Sequence, residues 1–227
     1  MKIAIMQPYL FPYVGYFQLI SEADRFVFFD DVNFINKGWI NRNRLLFSGE
    51  VKYFTVPISG ASQNSLICDI LISNDKSWEG KIEKSIRQSY SKAPYFRQVF
   101  DLIYPVLFGG HTMIGEMAKE SVQKVSNYLS ISVEFVSTSK VYQNKSLKSE
   151  NRIRDICRKE KSDAYINLNG GHDIYNSANF ALDEIKLTFI GSRLSTYPQF
   201  SSSFAPGLSI IDVLMHNSPT QVLELLK

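Results

Sequence analysis

The stretch KIAIMQPYLFPYVGYFQLISEADRFVFFDD, residues 2–31, decides the fold. Lys2–Met6 and Arg25–Phe29 are short runs of apolar, β-branched and aromatic residues, as strands require. The 18 residues between them hold a helical segment from about Gly15 to Ala23. Parallel neighbours need a crossover of a dozen or more residues, so strand, helix and strand at this spacing predict a βαβ unit.

Outward from this unit, Asn41–Phe47 and Val51–Pro57 flank Ser48-Gly49, a hairpin turn signal, and Asp69–Ile72 offers a further short strand. Ser59–Ser65 (SGASQNS) reads as a small-residue polar loop able to approach a ligand through its backbone. Trp78, Ile82, Ile86 and Tyr90 recur every fourth residue, which predicts an amphipathic helix. A second helix covers roughly Tyr95–Leu107, and a third carries Ile114, Ala118, Val122, Val125 and Leu129 on one face. Alternation then returns: strand Val133–Val136, helix Lys148–Lys159, strand Ala164–Leu168, helix Ser177–Leu182 and strand Lys186–Ile190. Leu208–His216 and Thr220–Leu226 read as closing helices. The expectation is one α/β domain over 1–227, Rossmann-like, with a mostly parallel sheet, a helical insertion at about 76–130 and C-terminal helices.

Open α/β sheets collect ligands beyond the carboxyl ends of their strands. That rule brings the Gln7–Tyr13 loop and the Asp30-Asp31 pair to one cleft. The following KGWINRNR, residues 37–44, reads as a strand with Trp39, Asn41 and Asn43 on one face and Arg42 and Arg44 on the other. Tyr9 and Trp39 suit stacking, Gln7, Asn41 and Asn43 suit hydrogen bonding, and Lys37, Arg42 and Arg44 suit phosphate. Gly170, Gly171 and His172 follow a strand, as a substrate-approaching loop does, and Tyr197-Pro198-Gln199 echoes the amino-terminal Gln-Pro-Tyr. Glu150, Asn151 and Arg152 open a helix, where capping accounts for the first two.

Several classes are disfavoured. Twenty-five basic against 22 acidic residues give a formal charge of +3, too mild to signal nucleic acid by itself. The three histidines and two cysteines lack zinc spacing, so no metal is expected. Cys68 and Cys157 sit in apolar surroundings and read as buried, reduced thiols. No apolar run approaches the roughly 20 residues of a membrane span, and the start has no cleavable signal, so a cytoplasmic protein is expected.

The layout strand–PxxYxGY–helix–strand resembles the nucleotidylyltransferase superfamily, with Tyr13, Val14, Gly15 and Tyr16 standing at its HxGH signature. Tyrosine, with a pKa near 10, supplies no imidazolium charge there. More specifically, QPYLFPYVGYFQLI (7–20), FFDDVNFINKGWINRNR (28–44), YINLNGGHDIY (165–175) and YPQF…FAPGLSIIDVL (197–214) resemble the WbqC-like family. The third block departs from that family's usual wording in its asparagines and His172.

The resemblance implies a bacterial O-antigen or surface-polysaccharide enzyme transferring an aminoacyl group, glycyl above all, to an amino sugar that is nucleotide-linked. The expected roles follow. Asp30 or Asp31 serves as general base beside Lys37, with Gln7, Tyr9, Tyr13, Tyr16, Trp39, Asn41, Arg42, Asn43 and Arg44 binding substrate. Gly170, Gly171, His172, Tyr197 and Gln199 complete the cleft. The donor is either an adenylate made from ATP or an aminoacyl-tRNA. The alternatives are another sugar-nucleotide acyl- or nucleotidylyltransferase, or a non-catalytic sugar-nucleotide-binding module; the sequence does not fix the oligomeric state.

Overall fold

Strands β1 (Lys2–Met6) and β2 (Arg25–Phe28) pair in parallel around helix α1 (Val14–Ser21), forming the βαβ unit. A computed structural model describes residues 1–62 and 64–227. After β2 the chain leaves the main sheet. It forms an antiparallel hairpin, β3 (Arg42–Phe47) with β4 (Glu50–Thr55), and a short pair, β5 (Ile58–Ser59) with β6 (Leu71–Ile72). The hairpin turn places both Ser48 and Gly49 at positive φ (55° and 79°), the combination whose twist matches paired strands. Part of the expected Ser59–Ser65 loop, at position 63, lies outside the described residues, and Ser59 itself belongs to β5.

Helices α2 (Ser77–Tyr90), α3 (Phe96–Phe108) and α4 (Ile114–Tyr128) follow. The main sheet then resumes with β7 (Glu134–Val136), helix α5 (Ser149–Lys159), β8 (Ala164–Leu168), helix α6 (Ser177–Ala181) and β9 (Lys186–Ile190). Helices α7 (Ile210–His216) and α8 (Pro219–Leu225) close the chain.

The five-stranded sheet runs β7-β2-β1-β8-β9, with every pair parallel. Numbered within the sheet alone this is 3-2-1-4-5, the order of doubly wound dinucleotide-binding folds. Strand alternation sends Ala4, Phe26, Phe28 and Ile166 to one face, where they join the core formed with α1 to α4 and α7. Ile3, Ile5, Val27 and Tyr165 face the other way, against Ile153, Ile156 and Cys157 of α5 and Phe180 of α6. Cys157 is buried, and desolvation pushes its thiol up to about 12. Cys68 corrects the expectation of two buried thiols: it is only partly covered, because it sits on a surface turn beside Lys140 and Asp69.

The fourfold stripe of α2 is borne out, since Trp78, Ile82, Ile86 and Tyr90 are all buried. Each such side chain contributes about 1.5–3 kcal/mol when fully removed from water. No helix among the described residues is long and apolar enough to cross a membrane.

Candidate functional site

The strand order reverses between β1 and β8, and the loops leaving their carboxyl ends diverge there. On that edge lies a cleft of about 510 Å³ lined by Tyr9, Pro12, Tyr13, Trp39, Asn43, Arg44, Leu194, Pro206 and Gly207. Loops after β1, β2 and β9 and the segment before α7 therefore meet at one place. A cleft of this size suits a small molecule.

The loop after β1 is held from several sides. Phe11 takes a left-handed φ of 42°, a conformation costly for an aromatic residue unless its surroundings enforce it. The Asn43 amide donates to the Leu10 and Phe11 carbonyls (3.0 and 2.8 Å), and Ser209 Oγ donates to the Phe11 carbonyl (2.7 Å). The Phe11 N–H donates to Ser121 Oγ (2.8 Å), and Leu10 N–H to the Trp39 carbonyl (2.9 Å). Asn43 is thus a clamp on the cleft wall. Gly15 begins α1 so close to Tyr13 and Ser192 that a Cβ there would collide with both, and the Tyr13 and Ser192 hydroxyls lie 2.9 Å apart.

Trp39 corrects the strand expected over residues 37–44. Residues 36–41 form turns and bends, with Lys37 at φ 60°, and the strand starts at Arg42. The alternation breaks before Arg42, so Trp39 packs with the arginines and not with the asparagines. Arg44 lies 5.5 Å from the Trp39 ring, and Arg42 lies 4.3 Å from the Tyr53 ring. Asn41 is buried and donates to the Val56 carbonyl (2.9 Å). Lys37 is exposed, and its carbonyl accepts from Arg42.

Among the described residues, Arg44 is the only charged side chain lining the cleft. One terminal nitrogen donates to the Gly207 carbonyl (2.9 Å), while its buried Nε has no partner among the described residues. No carboxylate lies within ion-pair distance of Arg44 or Arg42 among those residues. Tyr9 is held as a neutral phenol, its pKa raised by burial and then by Tyr13. The cleft therefore offers a cation, phenol hydroxyls and aromatic faces, which together favour an anion carrying a flat or sugar-like group.

Other expected site residues lie elsewhere. Asp30 is 1% exposed and accepts from Lys119 Nζ (3.1 Å), Thr138 Oγ1 (2.7 Å) and the Ser139 N–H (3.1 Å). Asp31 holds Arg152, whose Nη2 is 2.6 Å from both carboxylate oxygens, and accepts from Ser139 Oγ. Both carboxylates are saturated, and neither lines the cleft; Asp31 and Arg152 border a separate crevice of about 340 Å³. Tyr16 is fully buried, donating to the Gln7 carbonyl (2.8 Å). Gln7 is half-buried at the end of β1. Gly170, Gly171 and His172 lie at the β8 end, His172 stacked on Phe189 at 3.8 Å, and do not line the cleft. Glu150, expected as a cap of its own helix, accepts instead from Asn176 N–H and Asn179 (2.6 and 2.7 Å).

Tyr197 and Gln199 act through a buried carboxylate. Asp212 accepts from Tyr90 (2.6 Å), Tyr197 (2.7 Å) and Gln199 (3.3 Å), and the Gln199 amide also exchanges two bonds with the Ala205 backbone. That network fixes the segment carrying Pro206 and Gly207 against the cleft. Sequence reading passed over Asp212, Lys119 and Ser121, since nothing local marks their distant partners. Pro206-Gly207 did carry a turn signal.

Burial raises the Asp212 pKa, with the Tyr90 and Tyr197 hydroxyls opposing the shift. The folded state thus binds this proton more tightly than the unfolded chain, so stability falls as pH rises above about 3.8 toward the raised pKa. Burial lowers the pKa of neighbouring His216, and the Asp212 charge partly restores it. Removing that charge lowers the His216 pKa further, which adds a change of the same sign. Urea unfolding between about pH 4 and 7 should therefore show the stability gap between wild type and Asp212→Asn narrowing as pH rises. A constant or widening gap would contradict this account.

The strand order and the cleft at its reversal define a doubly wound α/β protein with an aromatic cleft that carries an arginine. The chain belongs to the WbqC-like protein family, whose sequence profile matches residues 7–224. It is also similar to an uncharacterized protein of Mycobacterium tuberculosis, Rv1507c, with 27% identity over 218 residues covering 95% of this chain and 93% of that one. No solved structure matches.

Proposed function

We propose that the protein binds a nucleotide-linked amino sugar in this cleft and transfers an aminoacyl group, glycyl in the leading case, to the sugar's amino group. The setting would be bacterial O-antigen or surface-polysaccharide biosynthesis. The observation that carries the reading is Arg44, a cation in the cleft lining with no carboxylate partner among the described residues, framed by Trp39, Tyr9 and Tyr13. A sugar diphosphate satisfies the guanidinium, and the rings stack on base or sugar. In the transfer, the amine nitrogen bonds to the activated carbonyl carbon, whose bond to its leaving oxygen breaks. The donor is an adenylate made from ATP or an aminoacyl-tRNA. With Asp30 and Asp31 committed to Lys119 and Arg152, the base role expected of them has no support in the geometry.

A second reading, a sugar-nucleotide-binding module without turnover, draws on a cleft lining without carboxylate or imidazole among the described residues. The test is a thermal-shift series with a uridine diphosphate amino sugar, ATP and glycine, followed by mass analysis of the sugar with each donor. Ligand at a hundred times its Kd stabilises a fold by about 2.7 kcal/mol, or about 5–11 °C for a chain of this size. Stabilisation with added glycyl mass supports the transferase. Stabilisation without turnover supports the module, and no shift with any ligand sinks both.

A further inference from the structure

The cleft does not end at Arg44. In hairpin β3–β4, Arg44 stands opposite Tyr53 and Arg42 opposite Thr55, so these residues share the outer face. Asn43, Leu45 and Phe54 fill the inner face and are buried. Over that face two rings lie side by side between two cations. Arg44 lies 5.5 Å from Trp39, the Trp39 and Tyr53 rings are 6.2 Å apart at 30°, and Arg42 caps Tyr53 at 4.3 Å. Arg44 and Trp39 line the cleft, whereas Tyr53 is 50% exposed beyond it. Lys37 stands exposed in the turn whose carbonyls hold Arg42.

We infer that this outer face is a track for a single-stranded RNA end, leading into the cleft. Adjacent aromatic rings flanked by unneutralised guanidinium groups suit single-stranded nucleic acid, rings stacking on bases and cations following phosphates. A neutral glycan also stacks on such rings but leaves both arginines uncompensated, and the rings and cations continue past the cleft lining to Tyr53 and Arg42. For what the strand carries, the inference rests on the transfer reading above: it selects the aminoacyl ester of an RNA 3′ end over the adenylate as donor. The sugar amine nitrogen then bonds to the ester carbonyl carbon and the bond from that carbon to the ribose oxygen breaks. The amine's proton ends on the freed ribose hydroxyl.

The experiment is fluorescence anisotropy with a labelled, unstructured eight-nucleotide RNA, using wild type, Tyr53→Ala and Tyr53→Phe. Wild type should bind, more weakly as salt rises. Tyr53→Ala should lose about 5-fold or more in affinity, while Tyr53→Phe, which keeps the ring, stays near wild type. A parallel thermal shift with the uridine diphosphate amino sugar should be the same in all three proteins. Lack of wild-type binding at about 100 μM RNA and low salt, unchanged affinity in Tyr53→Ala, or displacement by a neutral oligosaccharide would overturn the track. Loss of the RNA result with a retained sugar-nucleotide shift removes the track alone. The converse outcome removes the cleft reading and leaves the track standing.

Discussion

Replacing Arg152 by leucine is expected to lower stability by about 3–5 kcal/mol, because it strands a buried carboxylate. Arg152 and Asp31 have side chains only 6% exposed each. Nη2 serves both Asp31 oxygens at 2.6 Å, Nε donates to Asn144 (2.9 Å), and the guanidinium lies 4.7 Å from the Phe29 ring. With leucine in its place, Asp31 keeps only the Ser139 hydroxyl and backbone surroundings. For a chain of this length the loss corresponds to a fall in Tm of about 6–20 °C. The double change Asp31→Leu with Arg152→Leu should recover much of it, since the lone charge and not the missing pair is what costs most. A single variant within about 1 kcal/mol of wild type by urea unfolding would contradict this.

Changing Arg44 to glutamine should weaken binding of the uridine diphosphate amino sugar by about 10- to 150-fold, the range for losing a hydrogen bond to a charged group. Arg44→Lys should recover only part of this, because an ammonium cannot reproduce the guanidinium fork that spans Gly207 and the cleft. Stability should change little, as Arg44 has no carboxylate to abandon and donates to the Gly207 and Pro206 carbonyls at the cleft rim. Calorimetric titration gives the affinity and thermal unfolding the stability. Equal affinity in Arg44→Gln would mean that the anion is held elsewhere.

The two variants separate the roles of Asp31, the partner of Arg152, and Arg44, which stand in one short stretch of sequence. The run from Gln7 to Arg44 reads as one crowded polar site. Folding sends Asp30 inward to Lys119 of α4, Asp31 toward Arg152 of α5, Asn41 to Val56 and Tyr16 under β1, and leaves Trp39, Asn43 and Arg44 at the cleft. Gly170 to His172, equally prominent in sequence, end beside Phe189.

By itself the sequence determined what depends on neighbours along the chain. The βαβ unit, the Ser48-Gly49 hairpin, the fourfold stripe of α2 and the strand–helix alternation after residue 131 all follow from local periodicity and turn chemistry, and all are present. The carboxyl-edge rule needs only the strand ends, and it grouped the Gln7–Tyr13 loop with the Asp30-Asp31 pair; Tyr9, Pro12 and Tyr13 of that loop line the cleft, and the two aspartates do not. The tertiary structure alone decided which polar residues face that cleft. A buried charge must meet a partner, and the partners of Asp30, Asp31, Tyr197 and Gln199 lie on elements 13 to 121 residues away. No local pattern encodes such distances. Desolvation forces the pairing once the helices close, and Arg44, which has no carboxylate partner among the described residues, is left at the cleft.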